Sequence, residues 1–263
     1  MNIQIVIVLV LNLIISIIGT LAYSVRLVGV RTGKIAITYS VFNILSLVSR
    51  LAVTFQIPIL TKYVEHNSNE GNVLYLFYLI IFVSGIATVM GAFFIPTFQR
   101  IFYRGVLRFS IDKSLPRLMI HSFSKTGIRY MKECIAVPVS MNITKIEFKK
   151  LPIRIIIFNM IAVSLITVGS LAPIYAGKIA PDLRATCITL SSIINGVATV
   201  LMSIFIDPQL SIMTDEVMEG KCTEEEFRSC VVAMVGSKSV GTFASFLLLI
   251  PSSYLIVFIA RII

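Results

Sequence analysis

Six stretches of the chain are apolar over a spanning length: about Ile3 to Val25, Ile35 to Pro58, Val73 to Ile95, Leu151 to Tyr175, Leu183 to Ile206 and Ser237 to Ala260. Each run is continuous over about 20 residues, enough for an α-helix rising 1.5 Å per residue to cross about 30 Å of hydrocarbon. The pattern predicts an all-α fold, a polytopic membrane protein with six transmembrane helices in one integral membrane domain over residues 1–263. The alternation over about ten residues that a transmembrane β-barrel requires is missing. The first stretch is too long for a signal peptide and lacks its basic start and small-residue cleavage site, so it reads as a retained helix.

Polar residues interrupt these runs at helical spacing. Asn12, Ser16, Gly19, Tyr23 and Arg26 step by three or four along the first helix, and Tyr39, Asn43, Ser46, Arg50 and Thr54 do so along the second. Each set therefore shares one face, with Leu, Ile and Val on the others. The two striped helices are joined by a basic turn holding Arg26, Arg31 and Lys34, while Arg50 lies past the middle of the second apolar run. A charge that deep in a bilayer costs a few kcal/mol on insertion scales, so it is expected to face a protein-lined or watery interior. A third stripe, Arg184, Ser192, Asn195, Thr199 and Ser203, runs along the fifth helix. It reads either as interhelical hydrogen bonding or as cavity lining.

Charge adds orientation. The chain is 57% hydrophobic and 14% charged, well below the charge content of a soluble domain. The first, third and fifth connections hold three, twelve and three Lys and Arg, 18 of the 23. By the positive-inside rule that side is cytoplasmic and both termini face outside. This clustering accounts for the net charge of +10 without a nucleic-acid partner. The long basic connection, residues 96–150, opens with Arg100, Arg104 and Arg108 four residues apart, so the third helix is expected to run on as a basic amphipathic helix. Its arginines suit adhesion to anionic membrane lipids, or the collection of a lipid-linked pyrophosphate at the cytoplasmic leaflet.

The remaining motifs are mostly structural. Thr223 and Glu226 have capping-box spacing, which predicts a helix start that leads into the sixth span, with Lys238 near its cytoplasmic end and able to snorkel. Ser237, Gly241 and Ser245, like Ala87 and Gly91, have the spacing of small residues at close helix contacts. Cys134, Cys187, Cys222 and Cys230 form no CxxC pair and read as plain reduced thiols. There is no Walker loop and no HExxH, so neither cofactor nor metal is expected.

The run TLAYSVRLVGVRTGKIA followed by SVFNILSLVSR resembles the signature of the Amj family, bacterial lipid II flippases that act as an alternate to MurJ. The likeness is densest over the first third of the chain. It implies carriage of lipid II, a lipid-linked peptidoglycan precursor, from the cytoplasmic to the outer leaflet for cell wall synthesis. Arg26, Arg31 and Arg50 are the candidates for its pyrophosphate, because guanidinium binds phosphate oxygens through paired donors. Arg26 and Arg31 read equally as topology anchors. Tyr23, Lys34, Asn43 and Ser46 are candidate polar cavity residues, with Asn195, Arg184, Arg100 and Arg104 behind them. Members of the family often carry an acid where this chain has Gly19, so the partner such an acid would give Arg26 or Arg50 is missing here. Six spans make a thin wall for so bulky a headgroup, which a homodimer with a shared cavity would thicken. Two other classes compete: a membrane-embedded enzyme acting on a polyprenyl phosphate, for which the acids of Asp207 to Glu226 are the one cluster, and a small solute channel.

Overall fold

The computed structural model describes residues 3–66, 73–112, 129, 133–136 and 152–263. All regular structure among them is helical, and six helical stretches are long and apolar enough to cross a membrane. They comprise α1 (Ile3–Thr32), α2 (Ile35–His66), α3 (Val73–Asp112), α4 (Ile153–Ile179), a composite fifth span and α8 (Glu224–Ile262). The fifth span starts with a 3-10 turn, Pro181–Leu183. It continues through α5 (Arg184–Thr189), α6 (Ser191–Leu201), a π-helical turn at Met202–Ile206 and α7 (Asp207–Met218).

These helices overrun the hydrophobic stretches that predict them, because a helix ends at a cap rather than where hydropathy falls. At the α1–α2 turn Gly33 has φ 65°, Gly33 N–H donates to Val30 O at 3.2 Å and Lys34 N–H to Gly29 O at 3.2 Å. Together these make a Schellman stop, which a residue with a Cβ would strain. The start of α8 is the predicted capping box: Glu226 N–H donates to Thr223 Oγ1 at 3.2 Å and Thr223 N–H to Glu226 Oε2 at 3.1 Å. From there α8 runs unbroken through the sixth span. The predicted extension of α3 reaches Asp112, with Phe102 and Val106 buried and Arg100, Arg104 and Arg108 exposed. The rest of the basic connection, His121 included, lies outside the described residues apart from residue 129 and a short piece at 133–136. That piece folds back on α3, where Thr97 Oγ1 donates to Ala136 O at 3.0 Å.

The two halves are built alike. In the first, α1 is central and packs on α2 and α3; in the second, α4 is central and packs on α6 and α8. α8 then meets α3 and α1, and α7 meets α1, which joins the halves. Small residues make the closest approaches: Gly91 lies against Thr20 of α1, and Gly241 against the Met160 carbonyl of α4. At the end bearing the α1–α2 turn, here the basic end, apolar packing is divided among small clusters such as Leu27, Phe227 and Val231. The larger cluster, with Phe77, Ile80, Val168 and Leu249, fills the opposite end.

Buried polar side chains stitch the halves together. Asn159 of α4 is fully buried; it accepts from Tyr23 Oη at 2.7 Å and donates to Met234 O at 3.0 Å and to Ser237 Oγ at 2.7 Å. One side chain thus binds α1 and α8 to α4. Asn159→Ala strands the Tyr23 hydroxyl and is expected to destabilise the protein by about 1–3 kcal/mol. The check is the unfolding midpoint in detergent, with Ser192→Ala, an exposed site on α6, expected to leave it unchanged.

Candidate functional site

Between the packed ends lies a cavity of ≈ 660 Å³ lined from all six spans. α1 contributes its whole predicted stripe, Asn12, Ser16, Gly19, Tyr23 and Arg26. At the end away from the basic turn the floor is sealed. Asn12 there donates to Ser84 Oγ at 2.6 Å and to Ile80 O at 3.1 Å, Gln56 Nε2 reaches Asn12 Oδ1 at 3.4 Å, and Leu60 is almost fully buried. At the basic end the wall is the Arg26–Asp207 pair, whose aspartate side chain is 55% exposed, so the cavity meets solvent there. Laterally, α2 leans on α1 while α6 leans on α4. Among the described residues no extensive contact joins α2 to α6, and the cavity-lining Thr199 is exposed in that gap.

Among the described residues, two cations and one acid line this space. Arg26 NH2 lies 3.1 Å from Asp207 Oδ1, Arg26 NH1 donates to Ser211 Oγ at 2.9 Å, and its guanidinium sits 5.4 Å from the Tyr39 ring centroid. Lys238 of α8 has no such carboxylate. Its ammonium is 5.7 Å from the Tyr23 ring centroid and makes no hydrogen bond or ion pair among the described residues. A cation–π contact contributes about 0.5–2 kcal/mol. Withdrawing an ammonium from water costs several, so the Tyr23 ring alone does not offset it. Space for the ammonium comes from Gly19: a Cβ there would stand 2.9 Å from Lys238 Nζ. Gly19 is 13 residues from Thr32, about 20 Å along α1 at 1.5 Å per residue, so Lys238 reaches deep into the bundle instead of snorkelling outward. A side chain at position 19 would accordingly face Lys238 and not Arg26 or Arg50.

The other predicted residues are distributed more widely. On α2 the lining consists of Tyr39, Phe42, Ser49, Val53, Gln56 and Leu60, with Ile57 beside them. Asn43, Ser46 and Arg50 lie outside it: Asn43 and Arg50 are exposed, and Ser46 Oγ donates to Asn43 O at 2.7 Å. The reason is the packing of Ile37, Val41 and Phe42 on Val25, Val28 and Phe102, which sets the rotation of α2. With 3.6 residues per turn, that rotation leaves Arg50 about 60° around the helix from Val53, on the flank of the lining face. Arg31 reaches Glu224 Oε1, with NH2 at 2.6 Å and Nε at 2.7 Å, and its NH1 donates to Gln99 Oε1 at 3.3 Å. Lys34 Nζ donates to Ser110 Oγ, pinning the turn to α3. Arg184 NH1 is 3.5 Å from Glu65 Oε1, bridging α5 to the far end of α2. Asn195 lines the cavity and donates to Gly169 O at 3.4 Å. Arg100 and Arg104 line a separate, surface cavity of ≈ 420 Å³ with Arg31, Gln99 and Glu133.

Sequence reasoning missed the roles of Lys238 and of the acids. Asp207 and Glu224, which belong to the one acidic cluster of the sequence, pair with Arg26 and Arg31. A signal for Lys238 was present, since a helix capped at Thr223 brings residue 238 well past its first turns. All four cysteines are free thiols. Cys222, between the spans, has its thiol pushed up by burial and then by its hydrogen bond to Glu226 Oε2 at 3.5 Å, which keeps it protonated and unreactive.

Residues 11–260 match the family model described as Amj, Alternate to MurJ. A relative called lipid II flippase Amj, from Bacillus subtilis (strain 168), is 31% identical over 252 residues, covering 95% of this chain and 94% of that protein. No solved structure matches the chain.

Proposed function

Because this chain belongs to the Amj family, Alternate to MurJ, we propose that it is a lipid II flippase, a multi-pass transporter of the bacterial cell membrane and not an enzyme. The observation that carries this reading is the cavity itself. Its ≈ 660 Å³ lies within the range of about 300–1,000 Å³ that holds ligands, and its cations exceed its acids. Its unsealed side between α2 and α6 lets a prenyl tail stay in hydrocarbon while the polar headgroup moves inside. The cavity hydroxyls and amides then stand in for headgroup water, since leaving a polar group bare in hydrocarbon is costly.

In this proposal both termini face outside and the basic end is cytoplasmic. Arg100, Arg104 and Arg108 hold α3 against anionic headgroups, and the surface cavity that Arg100 and Arg104 share with Arg31 collects the pyrophosphate. Arg50, exposed on the flank of the lining face of α2, meets the headgroup as it enters. Arg26 at the mouth receives it next, and Asn195 contacts the sugars or peptide. All six spans of one chain line the cavity, so a second copy is not needed to complete it.

The test is expression in cells depleted of their usual lipid II flippase. Rescue of growth, together with lipid II made accessible at the outer surface to an added cleaving enzyme, is the expected result. Normal membrane expression with neither effect would overturn the reading.

A further inference from the structure

We infer that Lys238 inside the cavity, with Tyr39 and Arg26 on its mouth side, forms a phosphate-binding subsite in which the ammonium of Lys238 is the principal ligand. The inference rests on the flippase reading for its substrate but on the structure for its location. Three observations converge. The Lys238 ammonium projects into the cavity beside Gly19 without an anionic partner among the described residues. Tyr39 lines the same cavity, and its hydroxyl is buried with no hydrogen-bond partner. Arg26, stacked on the Tyr39 ring, shares its guanidinium between Asp207, Ser211 and the cavity.

Every one of these groups is a donor. Buried polar groups in native proteins are nearly always paired, and the buried Tyr39 hydroxyl is not, while the Lys238 ammonium lines the same cavity without a carboxylate among the described residues, so together they call for an acceptor that the protein lacks. The missing partner must be anionic, to neutralise Lys238, and must offer several oxygens, to serve an ammonium, a hydroxyl and a guanidinium together. A phosphate or pyrophosphate meets both conditions. The seat is also rigid. Tyr23, beneath the ammonium, donates to Asn159, which α4 and α8 hold in turn, so its ring is fixed and its hydroxyl is already used.

The experiment uses the full chain in nanodiscs of neutral lipid. Lys238 is labelled with an amine-reactive reagent and read by mass spectrometry, with Lys62 and Lys178 as internal references. Inorganic pyrophosphate, and separately a short-chain polyprenyl pyrophosphate, should slow Lys238 labelling several-fold and leave the references unchanged. Protection by both assigns the subsite to phosphate itself, and protection by the lipid alone assigns it to the lipid-linked form. Protection by neither overturns the inference. Tyr39→Phe should weaken protection, and equal protection in that variant would remove Tyr39 from the site. In rescued cells Lys238→Gln should lose at least tenfold in lipid II exposure while Lys238→Arg keeps most of it. The unfolding midpoint of Lys238→Gln should hold or rise, because an unpaired buried charge is gone. A fall would make Lys238 structural and overturn the inference. Protection of Lys238 in a wild-type protein that fails to rescue growth would refute lipid II as substrate and leave the subsite standing.

Discussion

Arg26→Ala is expected to abolish growth rescue in cells depleted of their own flippase, while Asp207→Asn preserves it. Arg26 lines the mouth of the cavity and is 15% exposed, stacked on Tyr39 and held by Asp207 and Ser211. A hydrogen bond to a charged group contributes about 1.5–3 kcal/mol, roughly 10- to 150-fold in rate if it acts only while the headgroup crosses. The pair of variants separates two roles. If Arg26 served only to tie α1 to α7 through its ion pair, losing either partner would do equal harm. If it binds phosphate, removing Asp207 frees the guanidinium and rescue persists. Equal loss in both variants, at equal expression, would assign Arg26 to the helix contact alone. Arg50→Ala belongs in the same assay. From its flank position it should slow rescue without abolishing it.

Gly241→Val is expected to prevent stable folding altogether. A Cβ at this position would stand 2.5 Å from the Met160 carbonyl oxygen, a backbone atom that cannot swing aside, and the Gly241 carbonyl accepts from Ser164 Oγ at 2.7 Å. Forcing α4 and α8 apart strains the packing by about 1–3 kcal/mol and strips Ser164 of its buried bond for about 1–3 more. Asn159 and its clamp on Ser237 lie on the same interface and would be pulled apart with it. The measurement is the yield of monodisperse protein after detergent extraction, compared with Gly236→Ala. Nothing lies within 4 Å of a Cβ at Gly236, so that variant should match or slightly exceed wild type. Normal yield of Gly241→Val would mean that α4 and α8 pack with slack that the structure does not have.

Much of this architecture was legible because it is local. Six continuous apolar runs need only hydropathy and length to be read as spans, and the capping box at Thr223 needs only neighbours in sequence. The stripe on α1 was readable from helix period alone, and because α1 is central every member of the stripe lines the cavity. The stripe on α2 looked equally regular, yet Asn43, Ser46 and Arg50 miss the lining. Periodicity identifies a polar face but not the angle at which a helix docks, and the contacts of Ile37, Val41 and Phe42 decided that angle.

The sequence by itself therefore determined the six spans, the capped start of α8, the small-residue contacts and the striped face of α1, all of which follow from hydropathy, helix period and local hydrogen bonding. Only the tertiary structure decided which charges meet. Asp207 and Glu224 lie nearly two hundred residues from Arg26 and Arg31, and Lys238 more than two hundred from Gly19. Electrostatic pairing depends on distance in space, and in a helical bundle that distance is set by how the helices pack.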